Sequence, residues 1–224
     1  MKLFIRVAVV LGLVFLAVIA LGIYRFNFTE DDLYVRENDM VRPLAEFDGG
    51  AKGVMKRLFS LDTREQFRIR LPDSNKSVTL TGFKEEQHLA FGEYQDEVVR
   101  GEVLLDYRKL TPLNLPGNAE SMQFVVPFAV TTQGSGVFWY LGMFRFDYQT
   151  GAIAHLASQF LGDRIEIEAI TPKEPFDPPY SVTLALKTRT QEQSMAEAPG
   201  EYMERTFFVT INSILPSSSQ WAPD

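Results

Sequence analysis

An unbroken run of 17 apolar or glycine residues, Val7 to Ile23, opens the chain. A helix rises about 1.5 Å per residue and a bilayer core is about 30 Å thick. Counted from Leu3 to Tyr24, with Arg6 the one interruption, the stretch is long enough to cross. Lys2, Arg6 and the amino terminus precede it, while Arg25 alone follows, ahead of Glu30, Asp31 and Asp32. The positive-inside rule then predicts a cytoplasmic N terminus and an inner-membrane, single-pass protein with a periplasmic C-terminal domain. The alternative is a secreted protein, cleaved at Val18-Ile19-Ala20 or Ala20-Leu21-Gly22. A signal peptide has a shorter apolar region and a polar stretch before its cleavage site, so an uncleaved anchor is expected.

Charge is partitioned across this boundary. All 29 acidic residues lie after Arg25, leaving 19 basic against 29 acidic side chains, a formal charge of −10. Such a domain does not attract phosphate backbones, so no nucleic acid partner is expected, nor flat docking on an anionic lipid surface. The chain has no cysteine and two histidines, His88 and His155. Disulfides, thiolate metal sites, cysteine nucleophiles and multi-histidine metal sites are excluded. No cofactor is implied, because there is no phosphate loop, dinucleotide fingerprint or Gly-x-Ser-x-Gly elbow.

Thr29-Glu30-Asp31-Asp32 resembles a helix start, predicting a short helix to Asn38 that Arg42-Pro43 would end. A second short helix is predicted over Val54–Leu61. From Gln66 the hydrophobic period becomes two, with Phe67, Ile69 and Leu71 alternating with Arg68 and Arg70. Strands are predicted near residues 88–92, 98–107, 122–132, 137–148, 152–160, 164–171, 180–189 and 205–211. Pro72-Asp73-Ser74-Asn75, Gln133-Gly134-Ser135-Gly136 and Asp147–Gly151 read as turns. The expected fold is mainly β, antiparallel, with one or two short helices (α+β is the alternative). The expected organisation is an anchor over 1–25, a juxtamembrane linker with short helices over 26–62, a β-rich extracytoplasmic domain over 63–215 and a disordered tail over 216–224.

Three motifs carry a resemblance. They are Gly134-Ser135-Gly136-Val137-Phe138-Trp139-Tyr140-Leu141, then Leu161-Gly162-Asp163-Arg164, then the late segment Met195-Ala196-Glu197-Ala198-Pro199. In order and spacing they resemble an uncharacterised domain of bacterial secreted proteins and lipoproteins, over about Val78 to Phe208. The resemblance implies envelope localisation and no established activity. Such domains often carry an Asp/Gly-rich loop before an early strand. Gly92–Glu102 lacks its closely spaced oxygen ligands, so metal binding does not carry over.

Asp163-Arg164 is a candidate binding pair, since the guanidinium could clamp a carboxylate; the competing reading is a turn that bonds its own backbone. Glu166 and Glu168 share a strand face about 7 Å apart, a glycosidase-like separation that ordinary alternation explains better. Phe138, Tyr140, Phe144, Phe146 and Tyr148 fall on one face of a strand, with Val137, Trp139, Leu141 and Met143 on the other and Gly142 leaving a gap. A strand apolar on both faces is central to a core. Should one face instead line a groove, Trp139 and Tyr140 are expected at its mouth. The sequence therefore reads as a membrane-anchored, non-enzymatic binding or scaffolding domain, with an envelope protein as possible partner. A small-molecule, lipid or glycan carrier or sensor using the aromatic groove is second. A hydrolase of an envelope polymer is third.

Overall fold

The computed structural model describes residues 34–37, 40–43 and 51–217, apart from 73, 97–98, 116–119, 174–180, 191–192 and 195–196. The expected anchor and residues 218–224 of the expected tail lie outside the described residues. Among the described residues no helix is long and apolar enough to cross a membrane. The chain divides into two compact units, Met1–Phe47 and Asp48–Asp224.

In the first unit, β1 (Tyr34–Glu37) pairs antiparallel with β2 (Met40–Pro43), Tyr34 opposite Pro43. This corrects the helix expected up to Asn38. Tyr34, Val35 and Val41 favour extended backbone, and Asn38-Asp39 between the strands are turn-forming residue types.

The second unit is mainly β and antiparallel. It opens with a helix, α1 (Ala51–Phe59), which overlaps the predicted 54–61 but starts three residues earlier. Val54 and Met55 are fully buried, and Leu58 and Phe59 pack beside them one turn later. Lys56 and Arg57 suit the negative end of the helix dipole, and Ser60 stops the helix in the left-handed region at φ 57°. Assigned to the linker on sequence, this helix instead packs into the domain's core.

The strands that follow are β3 (Arg68–Arg70), β4 (Ser77–Thr79), β5 (Gly82–Lys84), β6 (Leu89–Asp96), β7 (Val99–Asp106), β8 (Thr111–Leu113), β9 (Ser121–Thr131), β10 (Val137–Asp147) and β11 (Ile153–Asp163). Then come β12 (Glu166–Pro172), β13 (Ser181–Thr188), β14 (Glu201–Val209) and β15 (Ile214–Pro216). A seven-stranded sheet runs β11-β10-β9-β7-β6-β5, with β8 also on β9; β12-β13-β14-β15 form a second sheet, and β3-β4 a separate hairpin. The short strands β5, β8 and β15 have no signal in the sequence pattern. Unlike β3, whose alternation continues into Phe67 and Leu71 on either side, they have no flanking residues that extend a period of two.

The large sheet is the middle layer. Phe124, Val126, Phe128 and Phe144 face α1 and the β3–β4 hairpin, while Val125, Leu141 and Met143 face the four-stranded sheet. The two-faced apolar strand expected over 137–148 is thus central, flanked by β9 and β11. The gap at Gly142 is filled: a Cβ there would lie 2.6 Å from the Phe144 ring and 3.0 Å from Phe128. Pro127 is accommodated within β9 because it falls between the residues paired with β8 (123–125) and those paired with β7 (128–130).

Sheet edges are blunted. The β10–β11 ladder slips twice, leaving Leu156 and Leu161 as extra residues on β11. At the first bulge the Arg70 guanidinium donates to the carbonyls of His155 and Leu156; at the second, Arg205 donates to the Leu161 carbonyl at 2.6 Å. Gln159 reaches the Ile214 carbonyl at 2.8 Å, bringing β11 against β15. The carbonyls of His155, Leu156 and Leu161 on this edge strand are thereby occupied by arginines, and the two bulges interrupt its ladder, which opposes strand addition there.

Candidate functional site

Leu71, Pro72 and Ser74, between β3 and β4, lie over one part of the large sheet and leave a groove of about 540 Å³. Phe138 and Tyr140 from β10 form one wall, with Val130 of β9 and Thr132, just past the end of that strand, beside them. Leu71, Pro72 and Ser74 supply the overhang; Tyr94, Asp96 and Val99 close the third side. Strand alternation explains the aromatic wall. Residues 138, 140, 144 and 146 share a face, but the hairpin buries only its far part: Phe144 is fully buried, whereas Phe138 and Tyr140 are half-buried. Tyr140 stacks on Phe128 at 5.4 Å and meets Phe160 of β11 at 5.4 Å. The Phe160 ring is 42% exposed, so the aromatic surface continues past the groove rim.

The polar groups at this site bond to one another. Asp96 accepts from Ser74 at 2.9 Å and pairs with Lys76 at 2.7 Å. Lys76 and Ser74 hold its carboxyl below the usual range, while burial and then the Asp96 charge push the Tyr94 phenol up. The Tyr94 hydroxyl donates to the Thr131 carbonyl at 2.9 Å. That approach requires glycine at position 101, where a Cβ would lie 1.9 Å from the Thr131 oxygen.

A smaller depression of about 410 Å³ lies on the other side of the same turn, against Arg70, Asn75 and His155. His155 Nδ1 accepts the Arg70 backbone N–H at 2.9 Å, which assigns the proton to Nε2, 3.1 Å from the Ala157 carbonyl. The ring stacks on Phe144 at 4.5 Å and meets Phe128 edge-on. Burial, then the Arg70 charge, push its pKa down to about 4 against the opposing pull of the Ala157 carbonyl. His155 is a neutral structural pin between the hairpin and the sheet.

The other sequence candidates do not meet at the groove. Trp139 lies on the opposite face of β10 from Tyr140, packed against the core of the second sheet. Asp163 ends β11, and β12 begins at Glu166, so Asp163-Arg164 belongs to the turn rather than to a strand entry. One Asp163 oxygen accepts the Val137 N–H at 2.8 Å and the other accepts from Arg164 at 2.9 Å. Burial raises the Asp163 pKa, but Arg164 and the Val137 N–H outweigh it and leave the carboxyl below its usual value. Arg164 sits in the left-handed region at φ 49°; its N–H donates to the Val137 carbonyl and its own carbonyl accepts from Arg189 at 2.9 Å. The pair locks the β11–β12 turn onto the start of β10. Glu166 and Glu168 face solvent with Lys187 between them, 3.9 and 2.5 Å away. Among the described residues no group of His, Asp or Glu side chains is arranged to hold a metal.

Phe138 was legible from the alternation. Phe160, Asp96 and Ser74 were not, because they reach the groove through cross-strand register and hairpin docking. No protein-family model, curated protein or solved structure matches the chain.

Proposed function

We propose that the protein is a membrane-anchored, extracytoplasmic binding module that takes an apolar or aromatic part of a ligand, or of an envelope partner, in the Phe138/Tyr140 groove. One observation carries this reading: Phe138, Tyr140 and Phe160 leave ring surface open around an apolar groove, while Phe67, Phe124, Phe128 and Phe144 are fully buried. Open aromatic area beside a pre-formed cleft is the ordinary make-up of a recognition site. Asp96, held ionised beside Lys76, adds a polar end. The solvated pair Glu166 and Glu168, neutralised by Lys187 between them, favours binding over hydrolysis.

Replacing Phe160 by a photo-crosslinking phenylalanine analogue in the full-length protein, followed by irradiation in intact envelopes and mass spectrometry, tests the reading. A discrete adduct is expected, and Tyr140→Ala should reduce it about tenfold, as for the loss of an aromatic anchor. Adduct yields unchanged by Tyr140→Ala and by Phe138→Ala would refute the groove as the site.

A further inference from the structure

The β3–β4 hairpin is a sheet of its own, three residue pairs long, and a hairpin of that size is marginal without its docking contacts. Its base is fixed to the large sheet. The Thr81 N–H donates to the Phe91 carbonyl at 2.7 Å, and the Thr79 carbonyl lies so close to Gly92 that a Cβ there would stand 2.1 Å away. Toward its tip the hairpin is clamped from opposite sides of that sheet, by β6 and by β11. On the β6 side Asp96 accepts from Ser74 at 2.9 Å and pairs with Lys76 at 2.7 Å. On the β11 side His155 Nδ1 takes the Arg70 N–H at 2.9 Å, and the carbonyls of His155 and Leu156 take its guanidinium. Between the two clamps Leu71, Pro72 and Ser74 form one side of the groove.

We infer that the hairpin is a proton-released lid: it closes the groove while His155 is neutral and lifts when that imidazole is protonated. This is a regulation of the binding site proposed above and rests on that reading. Nδ1 can accept the Arg70 N–H only while it carries no proton. The ring is half-buried among Arg70, Phe144 and Phe128, so its full hydration requires the hairpin to lift. Arg70 is the one charged group facing it among the described residues. β9 over 121–131 and β11 over 153–162 carry no charge. On β10, Tyr140 is an uncharged phenol, Arg145 takes the face opposite Phe144, and Asp147 is held in its own turn at the strand's end. Lys76 and Asp96 pair with each other. Asp73 lies outside the described residues, and a carboxylate titrates near pH 4, below the range in question. The Asp96 clamp persists through that range, because Lys76 and Ser74 hold its carboxyl below the usual value. Acid therefore frees the Arg70 side alone. With His155 at its ordinary 6.5 when the hairpin is lifted and at about 4 when it is closed, the closed state is favoured above pH 6.5 and loses ground below it. The balance moves toward the lifted hairpin by about tenfold between pH 7.5 and 5.5.

Hydrogen exchange of the full-length protein in detergent, read by mass spectrometry on peptides covering 68–80 and 122–131, tests the lid at pH 7.5 and 5.5. After correction for the intrinsic rate, the hairpin amides should exchange faster than those of β9 at both values, and about tenfold faster at pH 5.5 than at 7.5. In His155→Asn, which keeps an acceptor and does not titrate, the tenfold step should vanish. Hairpin amides that exchange only at the β9 rate would show that the hairpin leaves on global unfolding alone, and overturn the lid. A step that survives His155→Asn would overturn the assignment to this residue. Val130→Cys supplies the chain's single thiol inside the groove. Its modification by a bulky thiol reagent, scaled to the unfolded chain at the same pH, should show the same tenfold step. Exchange that steps with pH while the thiol does not would mean that the hairpin loosens without opening the groove, and overturns the regulation. Neither measurement needs a ligand, whereas the Phe160 adduct does. An absent adduct with both steps intact refutes the binding site, and with it the regulation, but not the lid.

Discussion

Acidification should destabilise the domain through His155. In the unfolded chain this imidazole takes a proton near pH 6.5; in the folded domain burial and the Arg70 charge bring its pKa down to about 4. Between those values the unfolded state holds more protons, so stability rises with pH. The contribution is fully present above pH 6.5 and is lost as the pH falls toward 4. At 1.36 kcal/mol for each tenfold change, the loss amounts to about 2 kcal/mol by pH 5 and about 3 kcal/mol by pH 4. That is a large part of the 5–15 kcal/mol typical of a domain. The structural cost is specific: a protonated Nδ1 can no longer accept the Arg70 N–H, and a cation would stand next to the Arg70 guanidinium. Urea unfolding of the compact unit Asp48–Asp224 at pH 7.5, 6.5, 5.5 and 4.5 measures the slope. His155→Asn keeps an acceptor for the Arg70 N–H and does not titrate, so it removes this slope and leaves that of the carboxylates. Profiles of the two proteins that run parallel within about 0.5 kcal/mol from pH 7.5 to 4.5 would refute the pin.

Three further outcomes are expected. Phe144→Ala should cost about 3–5 kcal/mol in denaturant unfolding, as for a fully buried aromatic, and Phe138→Ala, half-buried in the groove wall, about a third of that; equal losses would make Phe138 core rather than groove. Gly101→Ala should cost about 1–3 kcal/mol, since its methyl group meets the Thr131 carbonyl and the Tyr94 hydroxyl, and should also weaken the Phe160 adduct; a variant of unchanged melting temperature contradicts the close approach. Glu166→Gln with Glu168→Gln should change stability by less than about 1 kcal/mol and leave the adduct intact, because exposed ion pairs contribute little; loss of function with the fold retained would favour the hydrolase.

The sequence determined the local elements whose pattern is short-range. The period of two marked the long strands, proline, aspartate, asparagine and glycine marked the turns at 72–75, 133–136 and 147–151, and 137–148 announced a strand apolar on both faces. The cap-like Thr29 and the acids Glu30, Asp31 and Asp32 misled it toward a helix reaching Asn38, because a local cap signature carries no information about pairing that forms only when a second strand is present. What tertiary structure decided was who meets whom. The bulges at Leu156 and Leu161, the arginines that occupy them, the hairpin pinned by His155, and the meeting of Asp96, Ser74, Tyr140 and Phe160 all depend on register and docking between residues 20 to 90 positions apart. Periodicity reports which face a side chain takes. It carries no information about what arrives on that face, because burial is set by the opposing layer.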